Sequence, residues 1–153
     1  MATLAPGTSL RVSETDDGWN LATDGDSRGR IRGSEVEFDD LTLHLRHTGQ
    51  RFELVTAIGT PVLRFDPAGR KATTLTTSSA RFRLARQRPR PLLHRWHVTR
   101  DVHGDALLRV SHSPLGVRVT AVDEPDADPA ELAILAIGAL VEVLDLEPAA
   151  AVA

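Results

Sequence analysis

The side chains best suited to bind a ligand are arginines concentrated between residues 81 and 100. This stretch holds seven arginines and no acidic residue. A guanidinium group donates paired hydrogen bonds and therefore matches the oxygens of a phosphate group. We expect this stretch to hold an anion, and the candidate binding residues are Arg81, Arg83, Arg86, Arg88, Arg90 and Arg95.

The arginines also have a simpler interpretation, in which they form a solvated strand face and loop. Lys71 is the only lysine among the 18 basic residues, so arginine replaces lysine throughout the chain. Arg81 and Arg83 alternate with Phe82 and Leu84, which would place the arginines on one face of a strand and the apolar side chains on the other. Composition favours this simpler interpretation, and the positions of the arginines in space decide between the two.

No metal site, cofactor site or catalytic residue is predicted. The chain contains no cysteine, which excludes disulfides, thiolate-bound metals and thiol catalysis. His44 and His47, like His94 and His97, are three residues apart on predicted strands, so each pair points to opposite faces and is poorly placed to chelate a metal. The motifs of serine hydrolases, phosphate-binding loops and zinc proteases do not occur. We therefore expect a protein without a bound metal, a cofactor or an enzymatic activity.

Short runs of alternating apolar and polar residues, separated by turn-forming residues, make up most of the chain. This period of two is typical of half-buried strands joined by tight turns. The longest run, residues 35–47, is predicted to be one strand, with a bulge at Asp39 and Asp40 that keeps its apolar side chains on one face. About ten strands with connections of only a few residues indicate an antiparallel barrel or sandwich.

One helix is predicted near the C-terminus, at residues 129–145. Asp128 is suited to cap its first turn and Pro129 to occupy the first helical position. The residues that follow are apolar on every face, so the helix needs protein on all sides. The predicted fold is therefore mainly β, an antiparallel barrel of short hairpin strands closed around one buried C-terminal helix. We expect one domain over residues 1–148 and a loose tail over residues 149–153.

Two segments of the chain resemble a known family. The hairpin of residues 52–65, which turns at Gly59-Thr60-Pro61, and the apolar helix of residues 128–145 resemble the tubby-like C-terminal domain superfamily, and within it a small LURP-one-related protein. The resemblance implies a barrel plugged by a C-terminal helix and a basic pocket for a phosphoinositide head group. The superfamily also includes the phospholipid scramblases. Their calcium loop and cysteine-rich lipidation segment have no counterpart here, so we expect neither scramblase activity nor a lipid anchor.

The sequence lacks the patterns of secreted and membrane-spanning proteins. Residues 1–9 carry no basic stretch before an apolar core, so no signal peptide is expected. The apolar run of residues 130–144 is about 15 residues long, whereas roughly 20 are needed to cross a bilayer. We expect a cytoplasmic protein without a transmembrane segment.

The function predicted from these features is that of a non-enzymatic binding or scaffold module. Its ligand would be anionic and phosphate-bearing, such as a phospholipid head group, and its partner an anionic lipid or a protein. The alternatives are an enzyme with a dispersed site and a small nucleic-acid-binding β-barrel, and a nucleic acid is the less favoured partner. The sequence does not indicate an oligomeric state.

The net charge of -3 hides an uneven distribution of charge along the chain. Residues 1–45 carry nine acidic and four basic residues, residues 46–118 carry four acidic and 14 basic residues, and residues 119–153 carry eight acidic and no basic residues. The three net charges are thus -5, +10 and -8. Whether the acidic segments cover the basic one decides whether the arginines are open to a ligand.

Overall fold

Twelve antiparallel strands close into a barrel in the part of the chain that the computed structural model describes, residues 2–49, 51–68, 72–88, 91–100 and 104–147. The strands are β1 (Ser9–Thr15), β2 (Gly18–Thr23), β3 (Asp26–Arg32), β4 (Glu35–Phe38), β5 (Leu41–Thr48), β6 (Arg51–Thr56), β7 (Pro61–Pro67), β8 (Ala72–Thr76), β9 (Arg81–Arg86), β10 (His94–Thr99), β11 (Ala106–Ser113) and β12 (Gly116–Ala121). Each strand pairs with the next one in the chain, and β1 pairs with β12 to close the barrel.

One helix, α1 (Pro129–Val143), lies inside the barrel. It contacts β7 on one side and β11 and β12 on the other, and its buried residues lie on every face. At its start, an Oδ1 atom of Asp128 accepts a hydrogen bond of 2.8 Å from the backbone N–H of Glu131. These observations confirm the predicted fold class, a barrel of antiparallel strands closed around a buried C-terminal helix.

The helix is in close contact with the strands at Gly138. A Cβ atom placed there would lie 2.3 Å from Leu63 Cδ2 and 3.7 Å from Leu75 Cδ1. Both leucines belong to the barrel and are at most 1% exposed. A small residue at this position of α1 therefore lets β7 and β8 pack directly on the helix backbone.

The helix ends two residues earlier than residue 145, the predicted end. Its last residue is Val143, and the backbone N–H of Leu144 still bonds to the carbonyl of Leu140 at 2.9 Å. Asp145 then takes a φ of +52°, which no α-helical residue has. The predicted tail, residues 149–153, lies outside the described residues, as does residue 148. Among the described residues, no helix is long and apolar enough to cross a membrane.

The predicted single strand over residues 35–47 is wrong, because the chain reverses at Asp39 and Asp40. Phe38 pairs with Leu41 across a two-residue turn, so the segment forms the separate strands β4 and β5. Asp39 adopts a φ of +52°, as tight hairpin turns require, and its carboxylate forms an ion pair of 2.5 Å with Arg28. The turn raises the number of strands above the predicted ten.

Candidate anion-binding face

Three of the six predicted binding residues point outward from the barrel wall. Arg81 and Arg83 lie on β9, where the intervening Phe82 is 1% exposed and faces the core. Arg95 lies on β10, the next strand, and is exposed. The Nε atom of Arg83 is buried and has no hydrogen-bond partner in the described part of the chain.

The other three predicted residues do not join this outer surface. Arg86 continues the inward alternation of β9 and lies at one end of the barrel, where one Nη atom is 2.6 Å from Nδ1 of His94 and the guanidinium lies 5.9 Å from the centre of the Trp96 ring. Arg88 is exposed in the loop after β9. Arg90 lies outside the described residues. The six residues therefore do not form one site, because alternation along β9 divides its arginines between two faces.

Three arginines outside the predicted set of six extend the outer surface. Arg109 on β11, Arg118 on β12 and Arg11 on β1 are all exposed and alternate with core residues of their strands. The alternation in each strand is visible in the sequence. Their proximity is not, because it depends on the pairing of β1 with β12.

We call the outward arginines of these five neighbouring strands the arginine face. Its members are Arg11, Arg81, Arg83, Arg95, Arg109 and Arg118. One row across the sheet runs from Arg95 through Ser111 and Arg118 to Arg11, each residue paired with the next. Positive side chains and a hydroxyl group thus follow one another along a single row of the barrel surface.

The acidic segments leave the arginine face open. None of its six members forms an ion pair with an acid in the described part of the chain. Acids of the first segment instead pair with other arginines, as Glu37 does with Arg30 at 2.9 Å. Two acids of the last segment, Asp126 and Glu131, form ion pairs with Arg100 near the start of α1. The ion pairs of the described residues therefore lie outside the arginine face, where Asp24 lines a groove with Arg11 and Arg118 but forms no ion pair with either.

His97 is a titratable residue that lies among members of the arginine face. It lies on β10, directly opposite Arg109 and two residues from Arg95. Partial burial lowers the pKa of His97, and the positive charges of Arg109 and Arg95 lower it further. The effect of the two arginine charges indicates a positive potential, which favours an anion, whereas burial disfavours any charged group.

Two shallow grooves flank the Arg11 and Arg118 pair. One has a volume of about 470 Å³ and is lined by the two arginines, by Ser111 and Ser113, and by Leu115 at its rim. The other has a volume of about 410 Å³, shares both arginines, and includes Ser9 and Asp24. Guanidinium and hydroxyl donors that converge on one groove can bind the oxygens of a phosphate group.

Acidic side chains line a cavity at the end of the barrel near the C-terminus of α1. A cavity of about 350 Å³ there is lined by Glu142, Asp145, Glu147 and His47 around an apolar floor. Burial raises the pKa of Glu142, the charge of Asp145 raises it further, and a hydrogen bond from Thr73 opposes both effects. This cavity repels anions, so the arginine face is the better candidate for a phosphate-bearing ligand.

The described histidines His44 and His47 lie apart in the fold. His44 points outward, with its Nδ1 atom 3.7 Å from a carboxylate oxygen of Glu35, whereas the ring of His47 lies 4.8 Å from the ring of Phe52 at the barrel end. In the described part of the chain, no group of three or more His, Asp or Glu side chains is placed to hold a metal ion.

No family model matches this chain, and neither a curated protein nor a solved structure shows significant similarity to it.

Proposed function

We propose that the protein is a non-enzymatic binding module whose arginine face holds a phosphate-bearing anion. One observation carries the proposal: six outward arginines on five neighbouring strands have no acidic partner among the described residues. Like charges on neighbouring strands repel and reduce the stability of a sheet. A bound polyanion removes this repulsion and gains several charge-assisted hydrogen bonds.

The shape of the arginine face favours an extended ligand. Its members are spread over the outer wall of β9 to β12 and β1 and do not surround one deep pocket. A molecule with several phosphate groups, or a surface that displays them, contacts more of these arginines than a single phosphate does. We therefore propose a polyphosphorylated or surface-bound anion, with a phospholipid head group as one such ligand.

We also propose that the chain is a LURP-one-related protein of the tubby-like superfamily. The closed barrel around α1 supports this assignment, because it is the architecture that the resemblance of residues 52–65 and 128–145 implies. The expected head-group site on β9 and the loop after it would then extend over β11, β12 and β1. A scaffold role, in which an acidic protein surface occupies the arginine face, uses the same charges.

Binding to inositol hexakisphosphate at rising salt tests the proposed function. We expect binding at about 50 mM salt that weakens steeply toward about 500 mM, because contacts to phosphate are screened by ions. The triple variant Arg81→Gln, Arg83→Gln and Arg95→Gln should bind at least about tenfold more weakly. The matched control is Arg64→Gln, because Arg64 is an exposed outward arginine of β7 on another part of the barrel.

Two results would overturn the proposal. The first is the absence of binding at low salt. The second is a loss of binding free energy per removed charge that is equal in the triple variant and in Arg64→Gln, because binding would then depend on net charge and not on the arginine face. A single-stranded oligonucleotide is measured in parallel, and tighter binding to it than to the inositol phosphate would favour the nucleic-acid alternative.

A further inference from the structure

The cavity at the C-terminal end of α1 combines an apolar floor with an acidic rim. Its volume of about 350 Å³ lies near the lower end of the range of about 300–1,000 Å³ that is typical of small-molecule sites. The floor is formed by side chains that are buried or half-buried, namely Leu45, Phe52, Phe65, Val141 and Leu146. The rim carries the carboxylates of Glu142, Asp145 and Glu147, which are exposed residues. The cavity is therefore apolar inside and negatively charged at its mouth.

No ion pair compensates the charge of the rim in the described part of the chain. Arginines of the neighbouring strands are paired with other acids, as Arg51 is with Asp66 at 3.0 Å and Arg46 with Glu53 at 3.7 Å. The last turn of α1 contains no basic residue, although the C-terminus of a helix attracts cations. Residues 148–153 also contain no basic side chain. The mouth of the cavity thus offers negative charge to a ligand.

A second pocket shares Glu142 but already contains a cation. It has a volume of about 290 Å³ and includes Thr73, Leu84, Arg86 and Trp96. The guanidinium of Arg86 lies 5.9 Å from the centre of the Trp96 ring. A cationic ligand is therefore better placed in the first cavity, which no described arginine or lysine lines.

We propose that the first cavity binds an organic ammonium ion that carries an alkyl or aryl group. The apolar group packs on Leu45 and Phe65, and the ammonium group stays at the mouth beside Glu142. The rim repels an anion, and among the described residues the carboxylates are not grouped to hold a metal ion. The site is separate from the arginine face, because β5, β6, β7 and α1 form its walls and the face lies on β9 to β12 and β1.

NMR titration of the full chain at low salt tests the proposal with hexylammonium, ethylammonium and hexanoate as probes. Hexylammonium should bind at least about tenfold more tightly than ethylammonium, because each additional methylene buried on the floor raises the affinity by up to about fourfold. The ring signals of His47 and Phe52 should shift on binding, since both residues line the cavity. Hexanoate has the same chain length and the opposite charge, and it should leave these signals unchanged.

Glu142→Gln tests the contribution of the rim. The loss of one carboxylate should weaken binding of hexylammonium about fivefold and leave binding of inositol hexakisphosphate to the arginine face unchanged. The matched control is Glu124→Gln, which removes the same charge from an exposed residue between β12 and the start of α1, at the other end of the helix. This control should bind hexylammonium as the unmodified protein does.

Three results would overturn the proposal. The first is a failure of hexylammonium to bind, or binding no tighter than that of ethylammonium. The second is unchanged hexylammonium binding by Glu142→Gln. The third is an equal loss of affinity in Glu124→Gln, because binding would then depend on net charge alone. Each of these results would leave the proposed function of the arginine face standing, since that function is tested with an anion.

Discussion

Arg11 of β1 and Arg118 of β12 are direct partners across the pair of strands that closes the barrel. Two side chains of the same charge therefore occupy facing positions on one row of the outer surface, and neither forms an ion pair with a described acid. Like charges in facing positions destabilise an antiparallel pair. The closure of the barrel thus carries a local stability cost that a bound anion would remove.

Reversal of the charge at Arg118 should increase the stability of the protein and weaken its binding to an anion. In Arg118→Glu, the new carboxylate faces Arg11, and an opposite-charge pair in this position stabilises a sheet by about 0.2–1 kcal/mol. We expect a higher urea midpoint together with weaker binding to inositol hexakisphosphate. The control is Arg64→Glu, which faces Glu53 on β6 and should lower the midpoint. A variant of Arg118 that is less stable and binds as before would contradict the role given to this pair.

The pKa of His97 should rise when the arginine face binds an anion. In the free protein, burial and the charges of Arg109 and Arg95 hold this pKa below its ordinary value. A bound phosphate neutralises the nearby positive charge, so the imidazolium form becomes less unfavourable. NMR titration of His97 with and without inositol hexakisphosphate measures the change. An unchanged pKa at saturating ligand would show that the anion binds elsewhere.

His97 should also make stability depend on pH. Because its pKa is lower in the folded than in the unfolded state, the unfolded chain binds the proton more readily. The stability that neutral His97 contributes is present above the unfolded-state pKa of about 6.5 and is lost as pH falls through the lower folded-state pKa. Urea unfolding from about pH 8 to pH 5 should therefore show a smaller decline for His97→Gln than for the unmodified protein.

The sequence predicts the architecture because α1 is apolar on every face. Such a helix requires surrounding protein, and only strands are available to surround it. The turn at Asp39 and Asp40 was misassigned for a local reason. A bulge and a two-residue turn both keep Val36 and Leu43 in the core, and these two residues pair with each other across the hairpin. Alternation within one segment does not distinguish the two conformations.

The sequence predicted three of the six members of the arginine face, Arg81 and Arg83 on β9 and Arg95 on the neighbouring β10. Alternation along β9 places Arg81 and Arg83 outward, as expected, and the same alternation turns Arg86 inward. Proximity in sequence was therefore a poor guide to which arginines share a surface. Arg11 and Arg118 face each other because the first and last strands pair to close the barrel. No local sequence pattern indicates that pairing.

A matched pair of leucine substitutions compares the barrel core with the exposed turn between β11 and β12. Leu135 of α1 is fully buried, so Leu135→Ala should lower the free energy of unfolding by about 2–5 kcal/mol, because it leaves a cavity inside the barrel. Leu115→Ala removes an exposed side chain and should change stability by less than about 0.5 kcal/mol. Denaturant unfolding of both variants measures the difference. A small effect at Leu135 would mean that the helix is not tightly enclosed.

Removal of the charge on Glu142 should stabilise the protein at neutral pH. Burial at the barrel end and the charge of Asp145 raise the pKa of Glu142, and its carboxylate also opposes the helix dipole in a last turn without a basic residue. A raised folded-state pKa contributes stability that is present below the unfolded-state pKa and lost as pH rises through the folded-state pKa. Glutamine is neutral at every pH, so Glu142→Gln retains this stability when the pH rises.

We expect Glu142→Gln to exceed the unmodified protein in unfolding free energy at pH 7, by less than about 1 kcal/mol because the residue keeps contact with solvent. The difference should disappear at about pH 3.5, where the unmodified carboxyl group is also neutral. Asp145→Asn is the control, since it removes the second cause of the raised pKa and should produce a smaller gain of the same sign. A gain in Glu142→Gln that persists unchanged at about pH 3.5 would assign the effect to packing and not to the charge.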